Sequence, residues 1–344
     1  MPLRDGISSN VWGDGTRPSV SVIIPTYNRF SSLLRTLASI ADQTYPPGCF
    51  EVVVVDDGGN DGTQDIQHRD YPFPLQYVRQ DNQGATSARN HGAAQSRGDL
   101  LFFVDDDIRL YPNTLECMVT KLGAPSTIVL GTLVTPPEIL KTSCFARSQG
   151  SAPAATSVGT TQETVPFQHC ATGLLAIHRE DLIALGGFRD PSGGWPNWDD
   201  VDFGYRANQN GYRLIRATEA IAEHWDYALG SLESACSRWY RAGHSGAALL
   251  QRYPELANHI PMLLDKRPVR WRQDPLTLIL RKVARRIVSS RVIVWAMEAA
   301  APVLQQRLPN STALRLLYRW IISGYIYRGY CAGLRALASA EEAL

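Results

Sequence analysis

Cysteine is sparse in this 344-residue chain, and its six cysteines are scattered without a CxxC pair. A zinc site or a disulfide framework is therefore not predicted, and a reducing compartment fits better. The chain also lacks a GxGxxG segment after its first predicted strand, which argues against a nicotinamide-dependent oxidoreductase. With 44% hydrophobic and 19% charged residues, it has the composition of a packed globular protein.

Long apolar runs are missing as well. Residues 1–6 contain no apolar segment of the kind that forms the centre of a signal peptide. Arginines interrupt the most apolar C-terminal stretches before they reach the roughly 20 uncharged residues that a membrane span requires. We therefore expect a cytoplasmic protein, with peripheral contact at the inner face of a membrane left open.

An excess of one charge is absent overall, because 34 Lys and Arg residues oppose 33 Asp and Glu residues. This balance does not favour a nucleic-acid partner. The charges are nevertheless uneven, since residues 1–229 hold 17 basic and 26 acidic residues while residues 230–344 hold 17 and 7. We predict a flexible leader over 1–17, an α/β domain over 18–229 and a basic α-helical region over 230–344.

Three apolar runs have the length of buried strands, at residues 20–24, 51–55 and 100–104. Residues 31–43 and 84–97 have the composition and spacing of helices between them. Alternating strands and helices predict a mostly parallel sheet with helices on both faces. Ligands of such sheets bind beyond the carboxyl ends of the strands.

Polar residues follow each predicted strand at that edge. The first strand is followed by Tyr27 and Arg29, the second by Asp57, and the third by Asp105 to Asp107. Three adjacent carboxylates repel one another, and Mg²⁺ or Mn²⁺ with phosphate oxygens would neutralise them. A solvated acidic turn is the alternative. One cleft that collects all these residues is the expected geometry.

Two other segments indicate a function less specifically. A glycine-marked turn at residues 82–84 leads into a predicted helix that carries Arg89. The amides at the start of this helix and Arg89 can face a phosphate, although a capped helix with a surface arginine has the same pattern. Residues 137–165 are rich in small and polar residues and are predicted to form a long surface loop.

Taken in order, these segments resemble the family-2 glycosyltransferases of the GT-A fold. The resemblance covers roughly residues 19–227, and Gly59-Asn60 departs from the Ser-Thr that is frequent in the family. It rests on five segments: SVIIPTYNR, VVVVDDGGNDGT, NQGATSARNHGAAQSRGDLLFFVDDD, GGF at 186–188 and WDDVDFGYR at 198–206. It implies a Rossmann-like GT-A domain and inverting, metal-dependent transfer from a nucleoside-diphosphate sugar, most often a UDP-sugar. The acceptor would be a glycan, a glycolipid or a small natural product.

The resemblance also implies roles for individual residues. Asp107, in the DxD motif, would ligate Mn²⁺ or Mg²⁺, and His224 would be a second ligand, although a lone histidine is often structural. The donor would be bound by residues from all three strand ends and by Arg89 of the helix: Pro25, Tyr27, Arg29, Asp57, Arg89, Asp105 and Asp106.

The segment Trp198-Asp199-Asp200 matches the position of the catalytic base in inverting members. Asp200 is the candidate base, because an acceptor hydroxyl is a poor nucleophile until a carboxylate takes its proton. Trp198 and Asp199 are candidate acceptor contacts. The alternative is that these carboxylates only stabilise the start of a helix.

The basic C-terminal region allows two interpretations. Its amphipathic stretches at 276–308 and 314–337 interleave arginines with apolar and aromatic residues, so they can lie on an anionic membrane. Otherwise they form a helical subdomain that packs on the catalytic domain or self-associates. For the whole chain, the rival functions are nucleotidyl transfer and a non-catalytic nucleotide-sugar-binding scaffold.

Overall fold

A computed structural model of the chain describes residues 19–148, 164–191, 198–226 and 230–342. The predicted leader at 1–17 and residues 149–163 of the predicted loop lie outside these ranges. The described residues form two compact units. The sheet unit comprises 19–135, 164–189 and 199–225, and the helical unit comprises 136–148, 190–191, 198, 226 and 230–342.

The sheet unit is organised around one mixed sheet with the strand order β3-β2-β1-β4-β7-β6-β8-β5. The pairs among β3, β2, β1 and β4 are parallel, as is β6 with β8, and the other three pairs are antiparallel. The strands are β1 Val20–Thr26, β2 Phe50–Asp56, β3 Leu75–Arg79, β4 Leu100–Val104, β5 Ile108–Leu110, β6 Thr127–Val134, β7 Leu174–His178 and β8 Arg213–His224. The predicted mostly parallel central sheet is confirmed.

Twelve α-helices lie within the described residues. They are α1 Phe30–Ala41, α2 Ala85–Gln95, α3 Thr114–Leu122, α4 Pro137–Thr142, α5 Cys144–Ser148, α6 Arg179–Ala184, α7 Asp199–Gln209, α8 Leu232–Arg252, α9 Pro261–Leu264, α10 Leu276–Val288, α11 Arg291–Arg307 and α12 Thr312–Glu342. Helices α1, α2, α3, α6 and α7 belong to the sheet unit, and the others to the helical unit.

Helices cover both faces of the sheet because successive residues of each strand point to opposite sides. Val22 lies in a core shared with Leu37 of α1, whereas its neighbour Ile23 lies in a second core with Ala93 of α2 and Phe203 of α7. All five of these hydrophobic side chains are almost fully buried. Two buried faces account for the nearly continuous apolar sequence of the central strands.

The prediction of a loop is wrong for residues 137–148, which form α4 and α5 in the helical unit. Proline at the first position of a helix costs no hydrogen bond, so Pro137 is compatible with the start of α4. Phe145 of α5 is buried, and its ring centroid lies 5.3 Å from that of Tyr318 in α12. Packing against the long helix decides the structure here.

The helical unit is built on the close packing of α8 and α12. A Cβ atom at Gly243, Gly329 or Gly333 would lie 2.0 to 2.3 Å from a carbonyl oxygen of the opposite helix, so only glycine allows this approach.

Among the described residues, no single helix combines the length and mean hydropathy of a membrane span. Helices α10 and α11 meet that criterion only together, across a bend of 70°.

Candidate active site

The strands bring the predicted polar residues to one edge of the sheet. In the parallel β1–β2 pair, Thr26 lies opposite Asp56, so both strands end at the same level. Strand β4 runs parallel to β1 on its other side and leads into the turn at Asp105. The carboxyl ends of β1, β2 and β4 therefore lie next to one another, as the sequence predicts.

Asp106 anchors the acidic turn to the first strand. Its Oδ2 atom accepts a 2.7 Å hydrogen bond from the Thr26 hydroxyl, and its Oδ1 atom accepts one of 3.1 Å from Arg29. The Thr36 hydroxyl of α1 donates to its backbone carbonyl at 2.9 Å. Burial raises the pKa of Asp106 to about 6 even though Arg29 opposes the shift. Both carboxylate oxygens are engaged inside the protein, and donor binding by Asp106 stays a prediction.

Asp107 and His224 face each other across the β5–β8 pair. The register places Ile108 opposite His224, and the Asp107 carbonyl accepts a 2.9 Å bond from the amide of Trp225. The Asp107 Oδ1 and His224 Nε2 atoms are 3.5 Å apart. Arg29 donates to the other Asp107 oxygen at 3.0 Å, so its guanidinium is shared by two carboxylates of the acidic turn.

A carboxylate oxygen beside an imidazole nitrogen is a donor set that suits Mn²⁺ and, less well, Mg²⁺. Two protein ligands are consistent with a cation whose shell is completed by diphosphate oxygens and water. The described residues contain no group of three His, Cys, Asp or Glu side chains arranged to hold a metal ion by themselves. Asp107 and His224 therefore fit a cation that binds together with an anionic ligand.

Arg89 joins the acidic turn to the second acidic segment. From α2, its two terminal nitrogens donate to Asp105 Oδ1 at 2.7 Å and to Asp199 Oδ2 at 3.0 Å. Burial disfavours the charge of Arg89, but Asp105 and Asp199 outweigh this effect and raise its pKa. Burial likewise opposes ionisation of Asp105, whereas Arg89 holds the pKa of that carboxyl below its ordinary value. Asp199 also accepts a 3.1 Å bond from the hydroxyl of Thr86, one turn before Arg89 on the same helix.

Asp200 is the second residue of α7, and its surroundings disfavour ionisation. Burial and the neighbouring carboxylate of Asp199 raise its pKa to about 7, while Arg89 acts in the opposite direction. Its Oδ1 atom accepts a 2.7 Å bond from the backbone N–H of Val201. A carboxylate with a pKa near neutrality is suited to general base catalysis. The contact with Val201 at the start of α7 is also what the helix-stabilising alternative predicts.

Asp57 is fully engaged in positioning the start of α2. It accepts a 2.8 Å bond from the Gln80 side chain and bonds of 2.9 and 2.8 Å from the backbone N–H groups of Gln83 and Gly84. Gly84 has φ +87°, which favours glycine. Asp57 therefore fixes the turn that leads to Arg89, and base recognition by Asp57 stays a prediction.

The residues after β1 differ in their environment. Pro25 is buried in the strand, whereas Tyr27 is 48% exposed. Asn28 has φ 51°, and its side-chain oxygen accepts a 2.8 Å bond from the N–H of Asn60. Asp61 holds the same loop by accepting a 2.6 Å bond from the N–H of Phe30. Asn28 and Asp61 were not predicted, although both residue types favour such turns.

Trp198 belongs to the helical unit. Its indole N–H donates a 2.7 Å bond to the carbonyl of Ala242 in α8, and its φ is 72°. A positive φ in a bulky residue costs of order 1–3 kcal/mol, so surrounding contacts must hold it in place. The polar atom of Trp198 is thus used within the protein, and its predicted role as an acceptor contact is untested.

Known proteins with similar sequences show which family the chain belongs to. The family described as Glycosyl transferase family 2 matches residues 21–181. Validoxylamine A glucosyltransferase of Streptomyces hygroscopicus subsp. limoneus is 31% identical over 236 residues, which are 59% of this chain and 51% of that protein. Glycosyltransferase AglE of Haloferax volcanii is 30% identical over 230 residues, 63% of this chain and 70% of that protein. The chain belongs to glycosyltransferase family 2, as its resemblance predicts.

A solved structure supports the fold. The mannosyltransferase PcManGT from Pyrobaculum calidifontis, in complex with GDP-Man and Mn²⁺, aligns with a TM-score of 0.59 at 22% identity. The alignment covers 91% of this chain and 88% of that one. The predicted GT-A fold with a helical C-terminal region is confirmed, and family membership decides against nucleotidyl transfer. The chain spans about half the length of the validoxylamine A glucosyltransferase.

Proposed function

We propose that this glycosyltransferase moves a sugar from a nucleoside-diphosphate sugar to an acceptor hydroxyl with inversion, and that Asp200 is the general base. The observation that carries the proposal is the bridge formed by Arg89 between Asp105 and Asp199. It links the predicted donor site at the end of β4 to the first turn of α7. A base and a diphosphate site on one rigid cluster are what in-line displacement requires.

The proposed reaction uses the raised pKa of Asp200. As the acceptor oxygen bonds to the anomeric carbon, Asp200 takes the hydroxyl proton, and the bond from that carbon to the diphosphate oxygen breaks. A single in-line displacement inverts the anomeric configuration. Because its pKa is about 7, Asp200 is a stronger base than an ordinary carboxylate and is still largely ionised just above neutrality.

Asp107 and His224 would hold Mn²⁺ or Mg²⁺. The bound cation would neutralise negative charge on the departing diphosphate. Arg29 is positioned to share this task, because its guanidinium already contacts both Asp106 and Asp107 and is half exposed. Asp106 would keep the turn in place through Thr26, and Asp105 would keep Arg89 oriented toward Asp199.

We further propose that the exposed Tyr27 stacks on the base of the donor and that Pro25 shapes the floor beneath it. A UDP-sugar is the first donor to test because of its frequency in the family. GDP-mannose belongs in the same panel because PcManGT was solved with it. The name validoxylamine A glucosyltransferase makes a small natural product one acceptor class to include.

A thermal-shift panel tests donor and metal together. UDP-, GDP-, dTDP- and CMP-sugars are each added with and without Mn²⁺ or Mg²⁺. Native-state binding at a hundredfold excess over Kd adds about 2.7 kcal/mol to the apparent stability. We expect one nucleotide class to stabilise the protein only with metal, and this shift to be lost in Asp107→Asn but kept in Asp70→Asn, a control at an exposed position. The absence of any shift would contradict the proposal.

A further inference from the structure

Helix α10 is oriented with an apolar stripe toward solvent and with two of its charged residues, Lys282 and Arg285, toward the protein. Leu276 and Leu280 are 71% and 61% exposed, and Val283 and Ile287 are exposed as well. These four residues follow one another at intervals of four, three and four, so they lie on a single face of the helix.

The opposite side of α10 is held by ion pairs. Lys282 is buried, and its Nζ atom donates to Asp274 at 2.6 Å and to the Pro268 carbonyl at 3.0 Å. Arg285 donates to the fully buried carboxylate of Asp265 at 3.3 Å. These contacts fix the rotation of the helix, so the exposed stripe is a built feature of the fold.

The exposed apolar surface continues on both sides of α10 in sequence. Trp271, just before the helix, is 73% exposed, and Trp295 of α11 is 68% exposed. Val292 and Val303 of α11 are exposed too. Single exposed apolar residues are ordinary, but so many large ones within one segment indicate an interaction surface, and tryptophan is enriched where protein meets the membrane–water interface.

The charge around this surface is strongly positive. Residues 270–320 contain ten Lys and Arg residues and only two acidic residues. Three of the ten, Arg281, Lys282 and Arg285, are paired with Asp265 or Asp274. Both acids are engaged within the helical unit, since Asp274 binds Lys282 and Glu298 accepts a 2.7 Å bond from the hydroxyl of Tyr325. Arg286 and Arg291 are exposed beside the apolar residues.

We propose that α10, α11 and the preceding Trp271 form a membrane-docking surface that lies on an anionic lipid bilayer. The apolar stripe would enter the boundary between headgroups and acyl chains while the arginines bind the lipid phosphates. A second copy of the chain is a poorer partner, because a two-fold interface would set these basic surfaces against each other. This inference does not depend on the identity of the donor or acceptor.

Vesicle flotation of the full chain tests the proposal. One set of vesicles is phosphatidylcholine alone, and the other contains equal parts phosphatidylcholine and phosphatidylglycerol. We expect flotation with the anionic vesicles at low salt, weakening as salt screens the charges, and little flotation with the neutral ones. Failure to float with anionic vesicles at low salt would overturn the proposal.

Two double variants separate the apolar and electrostatic contributions. Leu280→Ser with Trp295→Ser, and Arg286→Gln with Arg291→Gln, should each weaken vesicle binding by about tenfold or more. Ile183→Ser is the matched control, because Ile183 is also exposed but lies on α6 of the sheet unit. Binding by both double variants at the wild-type level would refute the assignment.

Two measurements on the unmodified chain complete the test and need no correctly folded variant. Brominated phospholipid in the anionic vesicles should quench tryptophan fluorescence, and an absence of quenching would contradict insertion of Trp271 and Trp295. Sedimentation without lipid should give a monomer. If the wild type is instead a dimer, and Leu280→Ser with Trp295→Ser dissociates it, the surface binds a second copy of the chain and the membrane proposal is wrong.

Discussion

The guanidinium of Arg89 donates to the carboxylate of Asp199 at 3.0 Å from a position that is almost fully buried. Its other terminal nitrogen binds Asp105, so one side chain of α2 links the end of β4 to the start of α7. The Nε atom of Arg89 is buried and has no hydrogen-bond partner among the described residues. Arg89 therefore acts as a positioning residue between the proposed donor site and the proposed base.

Replacing Arg89 should change the pH dependence of turnover. Arg89→Gln removes the positive charge that lowers the pKa of Asp200. The midpoint of the acidic limb of the pH–rate profile should therefore shift from about pH 7 to a higher pH. Arg89→Lys keeps the charge but lacks the two terminal nitrogens with which the guanidinium binds Asp105 and Asp199 at once. We therefore expect kcat to fall while the midpoint of the acidic limb stays near its wild-type pH. Identical limbs in wild type and Arg89→Gln would contradict the electrostatic role.

Asp200→Asn should stabilise the protein at high pH. Burial raises the pKa of Asp200 from 3.8 to about 7, so the folded state holds this proton more tightly than the unfolded state. The contribution of Asp200 to stability is full below about pH 4 and is lost as the pH rises to about 7. Relative to wild type, the Tm of Asp200→Asn should therefore increase from pH 4 to pH 8. A difference that is constant with pH, like that expected for Asp70→Asn, would contradict the raised pKa.

Asp107→Asn and His224→Ala should each weaken metal binding. Mutation of residues that only hydrogen-bond to metal ligands lowers metal affinity about 10- to 100-fold. The loss of a ligand itself should therefore lower the affinity at least about tenfold. Isothermal titration of Mn²⁺ in the presence of the nucleoside diphosphate measures this directly, without turnover. Asp70→Asn should bind Mn²⁺ like wild type. Unchanged affinity in both site variants would remove these residues from the metal site.

Gly59→Ala should destabilise the loops that form the donor side of the site. A Cβ atom at Gly59 would lie 2.9 Å from Asp56 Oδ1 and 3.1 Å from the backbone nitrogen of Asn28. Relief of such crowding costs about 1–3 kcal/mol. Gly48→Ala is the control, because among the described residues no atom beyond its two chain neighbours lies within 4 Å of its Cβ position. Equal urea midpoints for the two variants would refute the steric argument.

The sheet and the acidic cluster were predictable because both depend on local pattern. Apolar runs of strand length separated by helical segments define the parallel order, and residues after each strand, such as Asp57 and Asp105, must then meet at one edge. Asp200 was found through its match to a family motif. Its raised pKa could not be read from the sequence, because that shift depends on burial and on the neighbouring Asp199.

Long-range contacts account for what sequence reasoning missed. The engagement of Trp198 with Ala242 joins residues far apart in the chain. The helices at 137–148 depend on packing such as that of Phe145 against Tyr318. The outward rotation of α10 is set by Asp265 and Asp274, which lie before the helix. Periodicity shows that a helix has two faces, but the fixed ion pairs decide which one is buried.

The most direct test of the central claim compares wild type with Asp200→Asn for donor turnover, with water in place of the acceptor. The donor is whichever nucleotide sugar gives a metal-dependent thermal shift, and the measured quantity is the rate of nucleoside-diphosphate release. We predict that Asp200→Asn binds this donor as wild type does but releases the diphosphate about 10²- to 10⁴-fold more slowly, since a general base is lost. Turnover by Asp200→Asn at the wild-type rate would show that Asp200 is not the base.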